Sequence, residues 1–99
     1  MEIILDLDRH CIETETEKQY NRTVSRLLGS GSFDRSESRK LEILKFLLEN
    51  LDFHMIRSFC KECLKERNNH ACISENNGHL DISVNGTSIY KGKVEIDED

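Results

Sequence analysis

The chain has 99 residues, of which 36% are apolar and 33% charged, with no proline and a formal net charge of −5. It is too apolar for a disordered chain and too charged for a membrane protein, and no apolar run approaches the roughly 20 residues of a spanning helix. A single domain over residues 1–99 is expected, with a modest core, because a chain this short buries only roughly two-thirds of its unfolded surface.

The opening MEIILDLDRH has no positively charged lead and carries Asp6 and Asp8 among its apolar residues, so it does not read as a signal peptide. Four cysteines without such a peptide point to a reducing compartment, and a cytoplasmic location is expected. Residues 2–8 alternate as a strand does, with Ile3, Leu5 and Leu7 on one face. Ile4 lies on the other, which suggests a strand partly covered on both sides. Asp6 and Asp8 share a face, which is most simply solvated. His10 and Cys11 follow, but neighbours on a strand point to opposite faces, so His10 is badly placed as a base for Cys11.

A first helix is expected from the capping-box spacing of Thr14 and Glu17. Tyr20, Val24, Leu27 and Leu28 form its stripe, and Gly29 is its stop. GSGSF follows as a flexible linker whose Phe33 turns back into the core; it lacks the lysine and preceding strand of a phosphate-binding loop. A second helix over 35–49 starts near Asp34 or Ser36, Asp34 and Glu37 forming a capping-box pattern, with Leu41, Leu44, Leu47, Leu48 and Leu51 on its apolar face. Leu47 and Leu48 cannot both face the core equally well, so the chain is read as a monomer or homodimer. Asp52 caps a third helix over 53–67, which faces Phe53, Ile56, Phe59, Cys60, Cys63 and Leu64 inward and ends at Asn68-Asn69.

The last third changes character. Residues 71–74 read as a short strand turned by Asn76-Asn77-Gly78, and Leu80, Ile82 and Val84 alternate up to the hairpin signal Asn85-Gly86. A two-residue loop would set Ile82 opposite Ile89 and Asp81 opposite Tyr90. Gly92 would then mark a bulge that returns Val94 and Ile96 to the buried face. The expected fold class is α+β: an N-terminal strand, three helices, and a C-terminal antiparallel hairpin or small sheet packed on the helices.

Two functional readings survive. Residues 1–35 carry a net −2, residues 36–70 a net +1 and residues 71–99 a net −4, the last closing on Glu95, Asp97, Glu98 and Asp99. Acidity gathered at one end argues against direct nucleic-acid binding and for a protein partner with a basic surface. The expected function is therefore a small acidic, non-catalytic protein-binding module. It would act as an inhibitor occupying a partner's basic, nucleic-acid-binding surface, as small acidic phage and mobile-element proteins do by size and charge. Asp81, Tyr90, Glu95, Asp97, Glu98 and Asp99 are its candidate contact residues, with no catalytic residues, cofactor or membrane attachment expected.

The alternative is a zinc-stabilised regulatory domain. Cys60, Cys63, His70 and Cys72 supply four ligand-type side chains, the first two sharing a helical face. Arg57, Lys61, Lys65 and Arg67 would form a modest positive face beside them, interrupted by Glu62 and Glu66. Against zinc, the spacing matches no finger, knuckle or ribbon pattern, and cysteines on an apolar stripe pack as small hydrophobes.

Overall fold

The computed structural model of the chain describes residues 1–30 and 34–94, Ser30 by its backbone alone. Phe33 and residues 95–99 lie outside them, and with these the expectations for Phe33, Glu95, Ile96, Asp97, Glu98 and Asp99. The elements run β1 (Glu2–Asp6), α1 (Ile12–Ser30), α2 (Arg35–Asn50), α3 (Phe53–Cys63), β2 (His70–Asn76), β3 (His79–Val84) and β4 (Thr87–Lys93). The fold is α+β, as the sequence pattern indicates.

The strands form one antiparallel sheet in the order β1-β2-β3-β4. Two tight turns organise its later half, and each places an asparagine and a glycine at positive φ: Asn77 and Gly78, then Asn85 and Gly86. Turns of this hand match the twist of the strands they join. β1 reaches its neighbour across all three helices and pairs with β2 from Glu2↔Ser74 to Asp6↔His70.

Period-two alternation gives the sheet two unlike faces. Ile3 and Leu5, Ala71 and Ile73, and Leu80, Ile82 and Val84 are buried on the inner face. There they meet Ile12 of α1, Ile43, Leu44 and Leu47 of α2, and Phe53, Ile56 and Cys60 of α3 in one cluster. The outer face carries Ile4, Cys72, Ser74, Asp81 and Ser83. Ile4 remains 57% exposed, so β1 is covered on one side, not on both.

Local chemistry explains the helix starts. Asp34 accepts from Ser36 N at 2.9 Å, and Asp52 accepts from His54 N and Met55 N at 3.1 and 3.3 Å. The first helix departs from expectation at both ends. It starts at Ile12, with Cys11 O accepting from Glu15 N at 3.0 Å, and it runs through Gly29 to Ser30. Its buried stripe is also turned: Ile12, Thr16 and Thr23 are buried, whereas Leu28 is 81% exposed. Thr16 and Thr23 are tolerated inside because their hydroxyls donate to Ile12 O and Gln19 O at 2.7 and 2.8 Å.

α3 stops at Cys63, four residues short of its expected end, and leaves Phe59 and Leu64 43% and 42% exposed. The chain turns early because the next segment is held from elsewhere. Asn69 Oδ1 accepts from Lys65 N at 2.7 Å, and Asn69 Nδ2 donates to Lys65 O at 2.9 Å. Asp8 accepts from the backbone N–H of both Asn68 and Asn69 at 2.9 Å.

Candidate functional site

The hairpin that bears Asp81 and Tyr90 is in register only next to its turn. Val84 pairs with Thr87 and Ser83 with Ser88, after which the ladder slips by one residue, so that Ile82 faces Tyr90 and Asp81 faces Lys91. The extra residue is Ile89, not Gly92. Asp81 therefore lies on the outer face, where its carboxylate accepts from Ser88 Oγ at 2.9 Å. Tyr90 turns to the inner side and packs against the core. Its ring covers Gly92, where an added Cβ would sit 2.6 Å from the Tyr90 hydroxyl. A side chain at position 92 would displace the ring, which accounts for the glycine without a bulge. Asp81 and Tyr90 thus belong to opposite sides of the sheet and do not form one contact face.

The residue that precedes the acidic end in sequence is firmly held. Val94 is buried and its N–H donates to Gly78 O at 2.8 Å, which ties the end of β4 to the β2–β3 turn. Beside that turn Glu75, buried on β2, meets Arg39 of α2 at 2.6 Å and accepts from Gly78 N at 3.1 Å. Burial by itself would raise the Glu75 carboxyl; the Arg39 guanidinium and the Gly78 N–H outweigh it and hold the group below the usual range. Without Glu95, Asp97, Glu98 and Asp99, fifteen acidic and fourteen basic side chains remain, so residues 1–94 are close to neutral. The acidity of this chain is a property of its C-terminal end.

The four candidate zinc ligands are divided by the sheet. Cys60 is buried on the core side of α3 and Cys63 is half-buried one turn on. Cys72 pairs with Ile4 on the outer face, and His70 shares that face by alternation. Burial, followed by the carboxylates of Glu2 and Asp81, pushes the Cys72 thiol up, in keeping with its outer position. Among the described residues no three His, Cys, Asp or Glu side chains stand close enough together to hold a metal ion. The basic face proposed beside them is broken as well, since α3 ends before Lys65 and Arg67.

His10 and Cys11 also part company. His10 Nδ1 lies 2.9 Å from Glu15 Oε1, while the Cys11 sulfur is 3.3 Å from Thr14 Oγ1. That hydrogen bond, together with the Thr14 and Glu13 N–H groups of the helix start and the charge of Arg57, lowers the exposed Cys11 thiol against a smaller effect of burial. Sequence reasoning missed this because the capping box placed the helix start three residues too late; Cys11 directly before an apolar Ile12 was the available signal.

No helix among the described residues is long and apolar enough to cross a membrane. No solved structure matches the chain. An uncharacterized protein of Archaeoglobus fulgidus is 37% identical over 59 residues, covering 58% of this chain and 69% of that relative. A protein-family model matches residues 1–85, from β1 through the Asn85 turn, and the chain belongs to that family.

Proposed function

We propose that the chain is a non-catalytic protein-binding module that addresses a basic surface of a partner protein through its acidic C-terminal end. The observation that carries the reading is the anchoring of Val94. A buried side chain and a backbone hydrogen bond of 2.8 Å to Gly78 fix the residue directly before Glu95 in sequence, with Asp97, Glu98 and Asp99 following. Four carboxylates within five residues then follow in sequence, while residues 1–94 are nearly neutral. Such a local field accelerates encounter with lysine- and arginine-rich surfaces and selects among them. An inhibitor that covers a nucleic-acid groove, setting carboxylates where phosphates would lie, is the form of this activity that the charge distribution favours.

The outer face of the sheet supports the same reading. It carries Ile4 as an exposed apolar side chain on β1 and, across the sheet on β3 and β4, the paired Asp81 and Lys91. In this account Asp81 acts from that face, and Tyr90 serves the hairpin's packing more than the contact.

The test is charge reversal. Glu95→Lys with Asp97→Lys should abolish partner capture and leave the melting temperature within about 2 °C of the parent, because substitutions away from the packed core typically change stability by roughly 0.5 kcal/mol or less. Undiminished capture by this variant would remove the electrostatic reading.

A further inference from the structure

Between the start of α1 and the outer turn of α3 lies an apolar cleft of about 120 Å³, lined by Leu7, Cys11, Arg57, Cys60, Lys61 and Leu64. Two of the chain's four thiols open onto it from different elements. Cys11 stands exposed at the head of a 19-residue helix, its sulfur 3.3 Å from Thr14 Oγ1. Cys60 forms part of the opposite wall and is only 6% exposed. Arg57 and Lys61, one turn apart on α3, put two cations at the rim. Cys72 is on the far side of the sheet, and Cys63 does not line the cleft.

We propose that Cys11 and Cys60 are an oxidisable thiol pair that closes a disulfide across this cleft when the chain meets a hydroperoxide. The roles follow from access and charge. Cys11 is open to solvent, and the Thr14 hydroxyl foremost, then the helix-start N–H groups and Arg57, favour its thiolate as the attacking group. Its sulfur attacks one peroxide oxygen; an S–O bond forms, the O–O bond breaks, and the departing hydroxide takes a proton to become water. The product is a sulfenic acid at Cys11. The Cys60 sulfur then attacks the Cys11 sulfur, an S–S bond replaces the S–O bond, and the released hydroxide leaves as water with the Cys60 proton. The two cysteines lose two electrons, and the hydroperoxide gains them. Cys60 lines the same cleft, so the resolving thiol is already beside the site where the sulfenic acid forms.

The disulfide would tie the head of α1 to α3 and so stiffen the end of the domain away from the Val94 anchor. It therefore works independently of partner binding. The experiment treats the reduced full-length chain with hydrogen peroxide, blocks the remaining thiols, and maps cross-linked peptides by mass spectrometry. A Cys11–Cys60 peptide, lighter by two hydrogens, is expected to dominate. It should persist in Cys63→Ser and vanish in Cys11→Ser, a fold-neutral change at an exposed position. Iodoacetamide at neutral pH should label Cys11 about tenfold faster than Cys72, following thiolate fraction. A Cys60–Cys63 bridge as the main product, or Cys11 oxidised onward with Cys60 still free, overturns the proposal.

Discussion

Asn85 Nδ2 donates to Asn69 Oδ1 at 2.9 Å and joins the β3–β4 turn to the loop that follows α3. The same amide donates to Cys63 O at 2.9 Å, and its oxygen accepts from His70 N at 3.1 Å. With Asp8 holding the backbone of Asn68 and Asn69, four separate stretches of the chain meet in one polar cluster. It satisfies the last carbonyl of α3 and lets that helix end where packing requires.

Asn85 consequently does two jobs, and substitutions separate them. Asn85→Gly keeps the left-handed turn conformation but removes three hydrogen bonds, and it should cost about 1–3 kcal/mol in urea denaturation. Asn77→Gly, at the equivalent place in the other turn with a similar φ of 52°, should change stability by no more than about 0.5 kcal/mol. Equal effects at the two sites would contradict the role given to the cluster.

The Arg39–Glu75 pair, with Glu75 buried and Arg39 partly exposed, predicts a pH dependence. Because the folded carboxyl titrates below its ordinary value, its stabilisation is fully present above the unfolded carboxylate pKa of about 4.3. It is lost as the pH falls through the lowered folded value. Glu75→Gln should therefore be less stable than the parent at pH 7 by about 1–3 kcal/mol. That deficit should shrink as the pH is lowered below about 4.3, and a constant deficit from pH 7 to pH 3 would show that the charge is immaterial.

Adjacent residues on β1 should respond very differently to change. Leu5 is fully buried and Leu5→Ala should cost about 2–5 kcal/mol. Ile4, more than half exposed, should tolerate Thr within about 0.5 kcal/mol. A large loss at Ile4 would mean that the outer sheet face is covered.

Gly92→Ala should disturb Tyr90 specifically, since the new methyl group would fall against the ring. The expected result is a changed near-ultraviolet tyrosine signal and a loss of about 1 kcal/mol, the low end of overpacking effects. An unchanged signal would place the ring elsewhere.

What the sequence made legible was local chemistry. Asp34 and Asp52 cap helices, and Asn85-Gly86 turns a hairpin, because each acts through its own neighbouring backbone. The strand at 71–74 was visible for the same reason. The phase of α1 was hidden: Thr16 and Thr23 look polar in sequence, yet each satisfies its hydroxyl on a carbonyl one turn back and enters the core. The end of α3 was hidden as well, because the partners that stop it, Asn69 and Asn85, act over distances that no local pattern encodes. The thiol and histidine spacing from Cys60 to Cys72 was conspicuous, but strand alternation sends Cys72 to the face away from Cys60. The bulge fell at Ile89, while Gly92 answers to the Tyr90 ring that lies against it.

The central claim is that the acidic end, anchored at Val94, binds a basic partner. Its most direct test is native mass spectrometry of the chain expressed with the products of its neighbouring genes, run beside the Glu95→Lys, Asp97→Lys variant and at two salt concentrations. The account predicts a complex with a basic protein that weakens as salt is raised, is lost in the variant, and contains this chain without added metal mass. A complex that survives both charge reversal and salt, or a chain that carries one zinc and no partner, would contradict it.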